Sequence, residues 1–210
     1  MKKIIDVIED SFLIDPCLES ALNEKYANVS EVARHIYNTA AEPKPSIIAI
    51  ISALKRRERK KSESVLKTIR ASSITVKTGL AKVSFEPTDS DLDILEKDKD
   101  KLIGFTKGLG TVTLLVEEKA IESLISQIKG AVLEKKSGLA AIVITGPIDI
   151  LGLPGFMSFF LNILNSKGIN VDDLASSYVD VMIILSEKDA SSAFGFFSEA
   201  IEIAKRQFSS

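Results

Sequence analysis

The chain has 210 residues, of which 45% are hydrophobic and 27% are charged, with a formal net charge of -2 and a single cysteine. This length allows one large domain, or two to three small ones, with a core that needs no disulfide. The charge argues against a protein that mainly coats nucleic acid, and no apolar run approaches the roughly 20 residues of a membrane-spanning helix. One cysteine cannot form an intramolecular disulfide, so we expect a cytoplasmic protein.

Residues 1–70 are predicted to form a helical N-terminal region. Acidic residues interrupt its first apolar stretch, which therefore predicts neither a signal peptide nor a membrane span. Ser30 is the expected N-cap of a second helix, and a third helix is expected to run from Ser46 into the charged stretch RRERKK. The residues at the spacing of a buried helix face are Ile4, Ile5, Ile8 and Phe12; Val32, Ala33, Ile36 and Tyr37; and Ile47, Ile50, Ile51 and Leu54.

The stretch RRERKK is the one basic cluster of the sequence. Beside two helices it suggests a helix-turn-helix motif, with Arg56, Arg57 and Arg59 as candidate nucleic-acid contacts and ITVKTGLAKVSF as a possible wing. A recognition helix should present polar residues in its first turn, whereas this one begins with Ile47 and Ile48. A solvated helix end is therefore the favoured interpretation, and nucleic acid is not the expected partner.

From Ser72 onward short strands alternate with helices. ITVKTGLAKVSF is predicted to be a hairpin that turns at Thr78 and Gly79, and TDSDLDILEKDKDK is predicted to be a short acidic helix or a loop. GLGTVTLLVEE is typical of a strand and KAIESLISQIKGAVLEKK of an amphipathic helix. After Gly138 we expect a strand, a helix, two strands and a last helix.

Two segments of this region resemble each other, GTVTLLVEEKAIESLISQI and VDVMIILSEKDASSAFGFF. In both, a strand leads through an acidic turn into a helix. The pattern predicts an α+β fold with two βαββα units, residues 72–136 and 138–210, each a ferredoxin-like sheet with helices on one face. We expect the two units to pack as a pseudo-dimer, and the chain to form a homodimer or a larger homo-oligomer.

The second unit resembles an ACT domain, a module that senses small molecules in amino-acid metabolism. The resemblance lies in AAIVITGPIDILGLPGFMSFFLNILNSKGINV and SSYVDVMIILSEKDASSAF, and it extends well over 139–204 and weakly over 72–127. The sequence is similar to the regulatory region of aspartate kinases and to small archaeal ACT-domain regulators. This resemblance implies a pocket formed by the turn before the helix and the start of the next strand, often from two subunits. The residues it indicates are Leu151, Gly152, Leu153, Pro154, Gly155, Asn170 and Val171.

The turn GLPG has the chemistry for such a pocket. Pro154 suits the first helical position, Gly155 lets a ligand approach the backbone, and the free N–H groups of a helix start attract a carboxylate. Asn170 offers both a donor and an acceptor to an α-amino acid. Leu153 stands where many ligand-binding members of the family have a polar residue, which favours an uncharged or branched-chain ligand. A plain entry into the helix and an ordinary turn at Asn170 are the alternative interpretations.

Nothing in the sequence indicates an enzyme, a cofactor or a metal site. His35 is not expected to be catalytic, and Cys17 is expected to be a packing residue. We therefore predict a non-catalytic regulatory protein that binds a small amino acid and signals to a partner enzyme. The alternatives are an amino-acid-responsive transcription regulator and an interaction module that has no ligand.

Overall fold

The computed structural model describes residues 3–41, 44–57, 65–91 and 101–207. The chain forms two compact units, residues 1–63 and residues 64–210. Among the described residues, no helix is long and apolar enough to cross a membrane.

The first unit is helical, as the apolar spacing predicts. Its helices are α1 (Ile4–Ile14), α2 (Pro16–Asn23), α3 (Val29–Thr39) and α4 (Ile47–Arg56). Their buried residues are Val7, Ile8, Phe12, Leu22, Val32, Ala33, Ile36, Ile50 and Leu54.

Two details of the helical prediction are wrong. Ile5 is 59% exposed, and Val7 takes its place in the core, because the buried face of α1 is rotated toward Val7 and Ile8. The N-cap of α3 is Asn28 rather than Ser30: the Asn28 carboxamide oxygen accepts a hydrogen bond of 2.8 Å from the Ser30 N–H. Because Asn caps a helix as well as Ser does, the helix begins after Asn28, which comes first in the chain.

The second unit is built on one antiparallel six-stranded sheet with the strand order β2-β3-β1-β4-β6-β5. Its elements in chain order are α5 (Val65–Ile69), β1 (Ser73–Phe85), β2 (Leu102–Lys107), β3 (Val112–Glu117), α6 (Ile121–Ile125), β4 (Val132–Thr145), α7 (Phe156–Ser166), β5 (Asp173–Ser177), β6 (Asp180–Ser186) and α8 (Glu187–Gln207).

The predicted hairpin at Thr78 and Gly79 is wrong, because β1 runs through this position as one strand. Gly79 has a φ of +68°, which produces an irregularity in the pairing with β4 instead of a chain reversal. The predicted long amphipathic helix also ends early, at Ile125, and AVLEKK belongs mostly to β4. Residues 132–136 pair with 82–85 of β1, so formation of the ladder overrides the local helical pattern.

The two halves of the sheet are related through the long strands β1 and β4. Leu80 and Leu139 are paired at the middle of the sheet, and each follows a glycine with a φ of +68°. On one side of this point β1 pairs with β3, and on the other side β4 pairs with β6. Residues 73–77 of β1 extend the half that contains β6, and residues 132–136 of β4 extend the half that contains β3. The two halves therefore share both long strands.

One face of the sheet is covered by helices. Between the helices and this face lie two buried cores. The core of the half that contains β6 includes Ile142, Ile144, Phe160, Ile183 and Phe197, and the core of the half that contains β3 includes Val83, Phe85, Leu114, Ile121 and Leu124. The opposite face has its own buried cluster, Leu80, Leu115, Leu139, Ala141 and Ile184. Residues of both edge strands, β2 and β5, line one cleft there, so the sheet curls until its two edges approach each other.

Candidate functional site

The turn between β4 and α7 differs in detail from the predicted helix entry. A short 3₁₀ turn, Ile148–Gly152, leads into extended Leu153. Gly155 has a φ of +93° and is the N-cap of α7, which begins at Phe156. Pro154 therefore lies before the N-cap, and its predicted place in the first helical position is wrong. A left-handed residue is needed at the N-cap, and glycine adopts that conformation without a steric cost.

This turn lines a cavity of about 350 Å³ at the beginning of α7. Apolar side chains form much of it, and the described residues that line it include none with a charge. Its hydroxyl groups come from Ser158, Ser176 and Tyr178. Because Gly155 offers no side-chain cap and the first N–H groups of a helix have no partner within it, the cavity contains backbone donors.

Of the seven residues that the sequence indicates, the structure brings Leu151, Leu153 and Gly155 together around the cavity. Gly152 and Pro154 belong to the same turn. Asn170 and Val171 lie beyond the other end of α7, whose 11 residues span about 16 Å. The prediction that they begin the next strand is wrong, since β5 begins at Asp173.

Sequence reasoning missed Ser176, at the end of β5, and Tyr178, in the turn between β5 and β6, which also line the cavity. In a strand-helix-strand unit the second strand runs back toward the beginning of the helix. The end of β5, not its beginning, therefore lies beside the GLPG turn. The strand boundaries expected around SSYVD could have indicated these two residues, although not the left-handed φ of +55° at Tyr178.

The segment that contains Asn170 and Val171 is fixed by ionic contacts at Asp172. The Asp172 side chain is 9% exposed and accepts a hydrogen bond from the Lys136 ammonium group. This hydrogen bond raises the pKa of Lys136, so the lysine stays charged. Lys82, on β1, donates to the Asp172 carbonyl oxygen at 3.4 Å and pairs with Glu134 at 3.1 Å. The two shared strands thus hold this segment in place.

The basic cluster is partly engaged within the helical unit. The Arg57 guanidinium donates to the carboxylates of Glu9 and Glu19 and lies 4.9 Å from the centre of the Phe12 ring. Arg56 is exposed, and Arg59 lies outside the described residues. In the first turn of α4, Ile48 is 77% exposed, so this turn presents an apolar residue to solvent.

Two further residues that the sequence singled out are on the surface. Cys17 is exposed, so the expectation that it packs in the core is wrong: it lies on the outer side of α2, where Leu22 is the buried residue. His35 is exposed on α3. Across the described ranges, no group of His, Cys, Asp and Glu side chains is arranged to hold a metal ion.

The fold is similar to that of the regulatory domains of aspartate kinases. The chain is similar to the C-terminal regulatory domain assigned to aspartate kinase in Porphyromonas gingivalis, with 17% identity, a TM-score of 0.51, and coverage of 62% of this chain and 96% of that one. The ligand-free regulatory subunit of aspartate kinase from Thermus thermophilus has 15% identity and a TM-score of 0.50, over 62% of this chain and 95% of that one.

A third similar structure is the aspartate kinase of Clostridium acetobutylicum, with 18% identity and a TM-score of 0.51. The likeness covers 61% of this chain but 34% of that enzyme. No family model matches the sequence, and no curated protein is significantly similar to it. At these identities the likeness establishes the fold, and the turn before α7 carries the argument for function.

Proposed function

We propose that this protein is a non-catalytic regulator of amino-acid metabolism, which binds a small uncharged amino acid at the turn before α7 and signals to a partner protein. The cavity at this turn is the observation that carries the proposal. It combines backbone N–H donors with an apolar lining, which is the usual composition of a small-molecule site. A cytoplasmic location agrees with the single cysteine.

The two ends of an amino acid would meet different parts of the cavity. Its carboxylate would accept hydrogen bonds from the N–H groups at the start of α7, where the helix dipole also favours a negative charge. Its side chain would pack on Leu151, Leu153 and Met157. Since the described lining carries no charged side chain, a charged amino-acid side chain would be buried without a partner, which is costly.

We further propose that the domains are a helical region, 1–70, whose last helix, α5, packs on the core of the sheet, and two ACT-like units, 72–136 and 138–210, that form a pseudo-dimer by sharing β1 and β4. The pairing of Leu80 with Leu139 at the centre of the sheet supports this division. Residues 73–77, from the range of the first unit, extend the sheet of the second unit, whereas residues 132–136 extend the sheet of the first unit from within its own range.

A homodimer or a larger homo-oligomer is the assembly that fits this site. A pocket that contains both the GLPG turn and Asn170 must take them from two chains, because α7 separates them by about 16 Å within one chain. Leu151 and Tyr178, beside the cavity, are 56% and 72% exposed. A second chain would cover them and supply Asn170 and Val171.

The test uses a pair of matched glycine variants. The melting temperature of the full chain is measured with each of the twenty amino acids, since a ligand at a hundred times its Kd stabilises a protein by about 2.7 kcal/mol. Gly155→Val should abolish the shift, because a β-branched residue does not hold the φ of +93° that sets the N–H groups at the start of α7 and its Cβ would lie 3.4 Å from Val65. Gly168→Val is the control: its φ is also positive, at +68°, but it lies at the other end of α7.

Both substitutions strain a left-handed backbone, so both should lower the melting temperature of the free protein. Only Gly155→Val should lose the response to the amino acid. If no amino acid shifts the wild-type melting temperature, or if both variants keep the response, the turn is structural and the proposal fails.

A further inference from the structure

We infer that α5 is the element through which an amino acid at the turn before α7 acts on the helical N-terminal region. The inference rests on the proposed amino-acid site, and it names the element that carries the signal away from that site. α5 (Val65–Ile69) belongs to the compact unit of the sheet, and along the chain it is the first described element of that unit after the helical unit. A change in the docking of α5 therefore acts on the chain that leads from the helical unit.

The first residue of α5 lies against the turn that lines the cavity. An alanine Cβ at Gly155 would lie 3.4 Å from a methyl group of Val65, which is an ordinary van der Waals distance. Gly155 is the N-cap of α7, and its φ of +93° sets the direction of the N–H groups that follow it. A ligand carboxylate on these groups would fix the backbone against which Val65 packs. The packing of Val65 therefore depends on whether the turn is held in this conformation.

The two ends of α5 are buried to different extents. Ile69, its last residue, is fully buried in the same core as Phe156 of α7. Val65 and Leu66, at its beginning, are only partly buried against this core. A hydrogen bond of 2.9 Å from the Ser72 N–H to the Ile69 carbonyl oxygen leads the chain directly into β1. The end of α5 that joins the sheet is thus fixed, and the end that comes from the helical unit is the one that can detach.

Packing keeps α5 helical. A helix of five residues has too few internal hydrogen bonds to be stable in water, where about 12–15 residues are needed. α5 packs on both α7 and α8. Short segments of this kind open at a lower free energy than the elements of a core. A ligand that fixes the turn raises the share of molecules in which the beginning of α5 is docked, and by linkage docked α5 raises the affinity for the ligand by the same factor.

Amide hydrogen exchange of the full chain, with and without saturating L-leucine, tests this coupling. L-leucine suits the apolar lining of the cavity. It should slow exchange at the end of α5, where the Arg70 N–H donates to the Leu66 carbonyl oxygen at 3.2 Å, by about fivefold, the low end of the usual coupling between sites. α6, an equally short helix whose first residue, Ile121, is buried, is the internal control. Its exchange should not change, whereas a general stabilisation would slow both helices.

Val65→Ala removes the contact with the turn, and Val29→Ala is its matched control. Val29 is also the first, partly buried residue of a helix, but it belongs to the core of the helical unit. In Val65→Ala, L-leucine should bind about fivefold more weakly by calorimetry and should no longer slow exchange at α5. Val29→Ala should keep both the affinity and the protection. If Val65→Ala speeds exchange equally with and without L-leucine, so that the ratio of the two rates stays as in the wild type, Val65 is merely structural and the inference is wrong.

A pair of alanine variants tests the same contact without a ligand. Gly155→Ala strains the turn at its positive φ, whereas Gly168→Ala strains the other end of α7 at a φ of +68°. Exchange at α5 should be about fivefold faster in Gly155→Ala than in Gly168→Ala, the low end of the cost of a left-handed residue. Circular dichroism establishes that each variant is folded before exchange is measured.

The two arms separate failure of this inference from failure of the proposed function. Equal exchange at α5 in the two glycine variants would overturn the inference. Binding of L-leucine that leaves exchange at α5 unchanged would also overturn it, while the amino-acid site would stand. If L-leucine does not bind, the glycine pair alone shows whether α5 follows the turn, and the proposed function is judged by its own melting experiment.

Discussion

The two halves of the sheet use the turn after their long central strand in opposite ways. After β1, residues 86–91 are fixed by the buried carboxylate of Asp91, which is 1% exposed. After β4, Ile150, Leu151, Leu153 and Gly155 line a cavity whose described lining has no charged side chain. The segment that follows a long central strand is therefore a closed structural turn after β1 and the lining of an open pocket after β4.

The closed turn is held by four hydrogen bonds to Asp91. Its carboxylate accepts from the Thr88 N–H at 2.8 Å, the Thr88 hydroxyl at 2.7 Å, the Lys129 N–H at 2.6 Å and the Gly130 N–H at 3.0 Å. Two of these donors belong to the segment before β4, so the carboxylate ties two distant parts of the first half together. Where a side chain of the protein already satisfies the backbone donors of a turn, a ligand carboxylate has no role there.

The largest expected effect is that of Asp91→Ala. Four donors, three of them backbone N–H groups, lose a charged acceptor in a buried place, and the free energy of unfolding should fall by about 4 kcal/mol. Urea denaturation measures the loss. Asp89→Ala, an exposed change in the same turn, is the control and should cost less than about 0.5 kcal/mol. Equal losses in the two variants would mean that Asp91 does not hold the turn.

A smaller loss of stability is expected when a glycine beside each turn is replaced by alanine. A Cβ at Gly130 would lie 1.7 Å from the Glu86 carbonyl oxygen, whereas a Cβ at Gly146 would lie 2.6 Å from a methyl group of Ile150. The backbone cannot yield as a side chain can, so Gly130→Ala should cost about 3 kcal/mol and Gly146→Ala about 1 kcal/mol by the usual cost of overpacking. The same urea experiment checks both, and the reverse order would contradict the difference in rigidity.

The smallest effect is on the pH dependence of stability. Burial acts to raise the pKa of Asp91, but the hydrogen bonds from Lys129, Thr88 and Gly130 outweigh it and leave this pKa below its usual value. A lowered pKa in the folded state contributes stability above the ordinary Asp value of about 3.9, which is lost as the pH falls further. Asp91→Asn should therefore lose less stability than the wild type between pH 5 and pH 2. Parallel losses in the two proteins would show that Asp91 does not titrate in this way.

Much of the fold follows from local patterns that the sequence displays. The core of the helical unit is predictable, because Val32, Ala33 and Ile36 repeat at helical spacing and are all buried. The single strand through Gly79 is not predictable from local sequence, because a glycine with a positive φ occurs both in hairpin turns and in strand irregularities. Only the pairing with β4, 59 residues away at Leu139, distinguishes the two.

The candidate site was predictable in part for a similar reason. Leu153 and Gly155 are two residues apart in the chain, and both line the cavity in the structure. Tyr178 lies at the cavity because β5 runs toward the beginning of α7 and Tyr178 follows its last residue. Asp172 is held by lysines of β1 and β4. These contacts depend on the register of the sheet, which local sequence does not reveal.

The most direct test is a crystal structure of the full chain with the amino acid that raises its melting temperature most. We expect the ligand at the turn before α7, with its carboxylate on the N–H groups that follow Gly155, and no ligand at residues 86–91. A ligand bound elsewhere, with the cavity around Leu153 and Tyr178 empty, would contradict the assignment of this turn as the amino-acid site.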